Sequence, residues 1–572
     1  MATMSAALNC RPSISGHRYM VAAGHHLASM AGSEVLRAGG NAIDAGVAAG
    51  IALGVLESEF VSVAGVAPII LYSAEKDEMV TISGLGGWPS AARREQLAIE
   101  WGGLIPAGVQ RTVVPAAPDA WITALEKYGT MGFADTAAYA IEFAARGFPM
   151  YPMMADRIEK YRDSYSRFPT NREIYLPNGR VPAIGDQFVQ SDLASSLQFL
   201  ADEDRAAAAK GGRLAGLQAA RDAFYRGDIA KKIIAFHQSE GGLLSADDLA
   251  NFSVEIEKST QIRFSDWEVH GCGPWCQGPM LLQALKIIEG FDIKSMGHNS
   301  PEYLHVIVEA LKLAAGDRER YLGDPKFVDV PMAKLLSDDY LTARRKMIDP
   351  ERAFPDMPPG GLDGQGESLV AGDFNTGSSM DTSYVCVVDK AGNVFSATPS
   401  DASYNAPVVP GLGFIVSSRG QQSWLEADHP SSLEPGKRPR LTPNPAIAVH
   451  GNRMVPFGSP GGDVQTQAML QAFLNFAVFG NDLQTSVELP RVASYSFPSS
   501  FTPHKSEPGV LRIESRIAQD VCDRLSDLGH KVERWPDYTW LAGSVSMIDG
   551  NRDSGRIDGA SDPRRVGYAI GW

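Results

Sequence analysis

Residues 381–400 read DTSYVCVVDKAGNVFSATPS, and the reading of this stretch decides the fold. Thr382 to Asp389 is rich in β-branched and aromatic residues in the alternation of a core strand. Lys390-Ala391-Gly392 then forms a three-residue loop with Gly last, a favoured hairpin connection in which Gly takes the left-handed position. Such a loop pairs Asp389 with Asn393, and counting outward along both arms places Thr382 opposite Ser400. Directly opposed side chains have Cβ atoms about 4.5–5.5 Å apart, within reach of a hydroxyl–hydroxyl hydrogen bond. A two-residue turn would bring Asp401 to that place instead, and Thr and Ser facing each other are also ordinary strand residues.

Upstream, Pro355 to Met380 is dense in Gly, Pro, Ser and Asp and poor in apolar side chains. A segment of that composition buries too little surface to offset its ordering entropy, which predicts an exposed, mobile connection over about 355–381. A Thr that opens a buried strand directly after it becomes a new N-terminal residue if the chain is cut between Asp381 and Thr382. Its hydroxyl is then a nucleophile with its own α-amine as base, an arrangement used for acyl transfer. The chain divides on this reading into a large piece, 1–381, and a small piece, 382–572, that together make one domain.

The 572 residues are 44% apolar, enough for a large core. A net charge of −15 argues against nucleic acid or an anionic membrane surface as the main partner. No apolar run is long enough to span a membrane, and MATMSAALNCRPSISGHRY lacks the pattern of a secretory signal. These features predict a cytoplasmic location. The five cysteines are scattered, and Cys272 and Cys276 have no matching His or Cys pair, so neither a disulfide framework nor a zinc site is expected. Helices are predicted over Ala28–Ala38 and, after a Gly-Gly-Asn break, over the small-residue run Ala42–Leu56. Residues 115–235 are mainly helical by apolar spacing, and 279–290, 301–322 and about 464–479 are further helices. Ser245 to Asp248 has the form of a capping box. Helical layers around a mixed strand core predict an α/β sandwich.

Phe457-Gly-Ser-Pro-Gly461-Gly462-Asp463 runs straight into the last of those helices. Paired glycines at a helix N-terminus leave backbone N–H groups free to meet a negative oxygen, which suits an oxyanion hole. Alone, the same turn is more often only a tight strand–helix junction. It is not a P-loop, because the Lys and Ser/Thr of that motif are absent. Arg419, Lys437, Arg438 and Arg440 bring positive charge to the same half. The planar guanidinium of Arg419 could hold a substrate carboxylate or sit in a surface or interface ion pair.

Taken in order, several segments resemble the γ-glutamyltranspeptidase family of N-terminal-nucleophile hydrolases. They are MVAAGHHLASMAGSEVLRAGGNAIDAGVAA from Met20, VVPAAPDAW with EKYG, GGLLSADDLANF, HVIVEALKLAAGDRERYLGDP, PGKRP, FGSPGG and GASDPR. The resemblance spans nearly the whole chain and implies an αββα fold, two stacked sheets between helical layers. It also implies autocatalytic cleavage before Thr382, with Thr382 as nucleophile, Ser400 as its supporting hydroxyl and Gly461 and Gly462 as the oxyanion pair. No metal or organic cofactor is implied. The two fragments would stay together as a heterodimer or as a dimer of such heterodimers.

The departures concern the substrate. Leu85 stands at or near the family's carboxylate-gripping Arg, Ala402 at its glutamate-binding Asn, and Gln422 at the acidic residue that holds the amino group. Leu441-Thr442 replaces an adjacent Ser pair. A polar-reading pocket discriminates only while its partners are present. The sequence is closer to the cytoplasmic transpeptidase-like branch that includes oxamate amidohydrolase. A small-amide hydrolase working through an acyl-enzyme is therefore expected. The rivals are a γ-glutamyltransferase or glutathione hydrolase with an altered pocket, and an uncleaved, non-catalytic binding or assembly protein.

Overall fold

The computed structural model describes residues 9–361 and 381–572. The strand Val385–Asp389 is buried at all positions, so its alternation separates two apolar layers rather than core from water. Val385 and Val387 pack with Val21, Ala23 and Phe395 toward helices. Cys386 and Val388 point the other way and meet Ile447 and Ile548 across a sheet-to-sheet interface. Two seven-stranded sheets, antiparallel throughout, are thus stacked face to face.

One sheet runs Tyr568–Gly571, Tyr19–Ala23, Val385–Asp389, Val394–Ala397, Ile69–Ser73, Glu78–Ile82 and Ile256–Lys258. The other runs Ile14–Gly16, Ile557–Ser561, Ser546–Asn551, Arg453–Gly458, Ala446–His450, Trp267–Gly271 and Thr260–Phe264. Each sheet therefore mixes strands from before and after the 381–382 junction. The outer face of the first packs on His26–Arg37 and Ala42–Leu56. Gly278–Ile288, Pro301–Tyr321 and Gln465–Ala477 cover the second. This is the expected αββα sandwich.

Local chemistry sets these elements. Asn41 caps Ala42–Leu56 by accepting from the N–H groups of Ile43 (2.9 Å) and Asp44 (3.1 Å), while Asp44 accepts from the Asn41 N–H (2.9 Å). That helix lies so close to the sheet that a Cβ at Gly46 would sit 2.1 Å from the Phe395 ring. The capping box at Ser245 forms, with the Asp248 N–H donating to Ser245 Oγ (3.2 Å) and the Ser245 N–H donating to Asp248 Oδ2 (3.0 Å). The hairpin has the predicted register, Val385 opposite Ala397 and Val388 opposite Val394. Gly392 takes φ 84° in its loop.

Three expectations need correction. The ladder starts at Val385 rather than Thr382, because Thr382 leaves the strand conformation with φ 91° and gives its N–H to Phe60 O (3.2 Å). The connection expected to be mobile from Pro355 is packed at its start. Met357, Pro358 and Gly360 are buried, and Arg344 and Arg320 donate to the carbonyls of Pro359 (3.1 Å) and Gly360 (2.8 Å). The remainder of that connection, 362–380, lies outside the described residues. Finally, the C-terminal strands Ile557–Ser561 and Tyr568–Gly571, one in each sheet, lie beyond the predicted elements; both are short, and the first carries Asp558 and Ser561. Among the described residues, no helix is long and apolar enough to cross a membrane.

Candidate active site

Although Thr382 and Ser400 lie beyond the last ladder pair, the hairpin still brings them together. The Ser383 N–H donates to Pro399 O (3.0 Å), and Ser400 is fixed from its far side by its N–H to Val66 O (3.0 Å). Their hydroxyl oxygens are 2.7 Å apart. Thr382 Oγ1 also donates to Asp381 Oδ1 (3.0 Å) and accepts a longer contact from Gln465 Nε2 (3.5 Å). Thr382, Ser400, Asp381 and Arg419 are all fully buried.

Gln465 is the first residue of the helix that follows the Gly-Gly turn, so it ties that turn to Thr382. Gly461 (φ 123°) and Gly462 (φ 58°) both take left-handed conformations. No acceptor among the described residues meets either N–H. Asp463 pins the turn from behind, accepting from Arg318 Nη1 (2.6 Å), Gln277 Nε2 (2.6 Å) and the Ser500 N–H (2.8 Å).

Arg419 is the charged centre of the site. It donates through Nη2 to Asp381 Oδ2 (2.6 Å) and to Ser400 Oγ. Its Nε lies 3.3 Å from Asp401 Oδ1, at ion-pair distance but without hydrogen-bond geometry, and among the described residues Nη1 meets no hydrogen-bond partner. Burial works against the Arg419 charge, but Asp381 and Asp401 overcome it and hold the guanidinium above its ordinary range. Asp401 (φ 101°) is fastened by Ser417 Oγ (2.8 Å) and by the N–H and hydroxyl of Ser418 (3.0 Å each). Burial raises its carboxyl, and Asp381 adds to the rise while Arg419 opposes it. Two carboxylates thus share one guanidinium beside the hydroxyl pair.

The other positions expected from the sequence to face substrate lie beside this cluster. Gln422 Nε2 donates to Thr442 Oγ1 (3.0 Å). Leu85 packs with Val66, Cys272, Trp275, Cys276 and Leu441, and Val66 is the residue whose carbonyl holds Ser400. Cys272 and Cys276 are free thiols within this apolar cluster. The remaining basic residues are structural. Arg440 donates to Glu319 (2.7 Å) and Arg438 to Asp324 (2.9 Å), both across the 381–382 division, while Lys437 pairs with Glu434 (2.7 Å).

Sequence reasoning missed a second charged group behind Thr382. Arg565 Nη1 donates to Thr382 O (2.8 Å), and the ring of Phe60 lies under its guanidinium at 4.4 Å. Burial lowers Arg565 to about 10. Glu57 and Glu59 stand near it. Burial raises both, Glu59 to about 8, with Glu57 adding to the rise and a hydrogen bond from Tyr151 (2.8 Å) limiting it. The available signal was the pair of carboxylates in Glu57-Ser-Glu59 directly after fifteen buried helical residues, together with Arg565 just past GASDPR. One further cluster, His305, Glu309 and His530, brings metal-ligand atoms within 4.8 Å of one another. Lys312 already pairs with Glu309 there (2.8 Å) and the two imidazoles lie 3.0 Å apart, so it reads as internal polar packing.

The family model Gamma-glutamyltranspeptidase matches residues 28–572. Acylase ACY 1 proenzyme of Pseudomonas sp. (strain SE83) is 33% identical over 569 residues, covering 97% of this chain and 94% of that protein. Oxamate amidohydrolase proenzyme of Klebsiella pneumoniae is 29% identical over 563 residues, covering 97% and 98%. The crystal structure of cephalosporin acylase from Bacillus halodurans superposes with a TM-score of 0.85 at 28% identity, over 100% of this chain and 99% of that one. With the stacked sheets and the Thr–Ser hairpin already in place, the chain belongs to the γ-glutamyltranspeptidase family of N-terminal-nucleophile hydrolases and transferases.

Proposed function

We propose that this chain is the precursor of an N-terminal-threonine amidohydrolase whose substrate carries a carboxylate on its acyl side. The observation that carries the reading is Arg419, which grips a carboxylate, that of Asp381, beside the Thr382 hydroxyl, with Nη1 meeting no partner among the described residues. In maturation Thr382 Oγ1 attacks the Asp381 carbonyl carbon, the peptide C–N bond breaks, and water hydrolyses the resulting ester. Asp381 then ends the large piece, and Thr382 begins the small one with a free amine. In turnover that amine takes the hydroxyl proton; its reference pKa of about 7.7–8.0 suits this near neutral pH. Gly461 and Gly462 offer N–H groups to the oxyanion, and water releases the acyl group.

The junction's own geometry favours the cut. A β-branched residue at φ 91° holds strain of order 1–3 kcal/mol, released when the backbone N–C bond is freed. The pieces would remain joined, because strands from both complete each sheet. The γ-glutamyl rival is weakened at two positions, since Leu85 and Ala402 are buried apolar side chains that cannot hold an amino acid's charged end.

The test is intact mass and N-terminal sequencing of purified protein, with hydrolysis of N-acyl p-nitroanilides that carry or lack a terminal carboxylate. Pieces of 1–381 and 382–572, the second starting Thr-Ser-Tyr-Val, are expected, and Thr382→Ala should abolish both cleavage and hydrolysis. A single uncleaved species without amidase activity would favour the binding-protein reading. Release from γ-glutamyl-p-nitroanilide in preference to all others would favour the transferase.

A further inference from the structure

We infer that Asp381 is the general base of its own excision, a role separate from the base used in turnover. The inference rests on the proposed maturation at Thr382. Before the cut the Thr382 nitrogen is an amide and cannot accept a proton, so the first reaction needs a base that the second does not. Three groups of the described residues lie within hydrogen-bond distance of Thr382 Oγ1: Ser400 Oγ at 2.7 Å, Asp381 Oδ1 at 3.0 Å and Gln465 Nε2 at 3.5 Å. A hydroxyl and an amide are not bases near neutral pH, which leaves the carboxylate. Its two oxygens are divided between two tasks. Oδ1 accepts from the nucleophile, and Oδ2 is held by Arg419 Nη2 at 2.6 Å, which fixes the carboxylate's position.

Asp381 and Asp401 face one guanidinium in a fully buried cluster, so two carboxyl groups meet a single positive group beside the nucleophile. The step balances. The Thr382 Oγ1 proton passes to Asp381 Oδ1 as the Oγ1–C bond forms to the Asp381 carbonyl. When the C–N bond breaks, the same proton goes to the departing Thr382 nitrogen, and the carboxylate is restored. Water then adds to the ester carbon with the new amine as base, returning a proton to Oγ1 and leaving a C-terminal Asp381 carboxylate. The base departs with the product, so the device works once.

The experiment follows cleavage of full-length chain by intact mass after rapid purification, comparing wild type, Asp381→Asn and Asp381→Ala. General-base removal typically costs 10²–10⁴-fold, so both variants should cleave at least about 100-fold more slowly. Sodium formate, a carboxylate small enough for the space left by Asp381→Ala, should restore that variant at least about tenfold, while sodium chloride at equal ionic strength should not. A merely structural loss would not answer to formate. Should Asp381→Ala fail to fold, the isosteric Asp381→Asn alone decides. Cleavage of Asp381→Asn within about threefold of wild type would overturn the inference while leaving the threonine amidase intact. Failure of the wild-type chain to give a Thr-initiated piece would remove both.

Discussion

Replacing Ser400 by Ala removes one oxygen from the centre of the site. The Ser400 hydroxyl lies 2.7 Å from Thr382 Oγ1 and accepts from Arg419 Nη2, all three side chains being fully buried. Ala fits the same backbone, whose N–H to Val66 O is untouched. The loss is therefore one positioned hydroxyl bond to the nucleophile and one charge-assisted bond from Arg419. A buried group left without its partner costs about 1–3 kcal/mol, and 1.36 kcal/mol is tenfold in rate. If that energy orients Oγ1 in both reactions, cleavage and amide hydrolysis should each slow by about 10- to 100-fold. Quenched-time-course mass spectrometry reads the first and p-nitroaniline release by matured protein reads the second. Ser400→Thr, which keeps the hydroxyl, should recover most of the loss. Normal rates in Ser400→Ala would show that the 2.7 Å contact is only strand packing. A fall in cleavage alone would confine Ser400 to maturation.

Gly461→Ala places a methyl at φ 123°, where an L side chain is strained, and turns the N–H that faces no other acceptor; amide hydrolysis should drop about 10²- to 10³-fold, with unchanged kcat refuting the oxyanion role. The acyl group cut in maturation presents a carboxylate two carbons from the scissile carbonyl, so matured enzyme should favour a succinyl over a butyryl p-nitroanilide by at least about 100-fold in kcat/KM. Malonyl and glutaryl analogues should fall between them, and equal rates for succinyl and butyryl would remove Arg419 from substrate binding. Glu59, pushed up to about 8 from 4.5, keeps in the folded state a proton that the unfolded chain loses above about 4.5. Its contribution therefore makes stability fall as pH rises between those values, by at most about 1.4 kcal/mol per pH unit, and levels off above 8. Glu59→Gln should lack that slope, so its denaturation midpoint should gain on wild type from pH 5 to pH 8; parallel curves would contradict the protonated state.

The hairpin was legible because its information is local. A three-residue loop ending in Gly fixes a register, and the register places Thr382 against Ser400 without any knowledge of the rest of the chain. The Gly-Gly turn was legible for the same reason. Asp401 and Arg565 were not, since what gives them meaning is burial and long-range proximity. Arg565 reaches Thr382 across 183 positions, and Asp401 is fastened by Ser417 and Ser418 from a separate loop. The strand at Ile557–Ser561, IDGAS, escaped notice because two of its five residues are polar and one is Gly, and neighbours on both sides rather than its own pattern make it a strand.

The same contrast bears on how one hydroxyl can serve two reactions. The parts that a local pattern specifies, Thr382, Ser400 and the glycine turn, are those both reactions share. The parts that differ between them are supplied by tertiary placement, and they centre on Arg419. Its guanidinium is held from one side by Asp401, which belongs to the small piece and stays. On the other side stands Asp381, whose peptide bond is the one proposed to be cut. The proposed excision would free the carboxylate on that side to leave, while Arg419, Asp401 and Ser400 would keep their mutual contacts. A vacated guanidinium edge in a dry site attracts another carboxylate more strongly than an exposed arginine would. On this account the last residue of the large piece shapes the place that a substrate's acid group would later fill, and an anion site at Arg419 would stand in for the γ-glutamyl anchors that Leu85 and Ala402 do not supply.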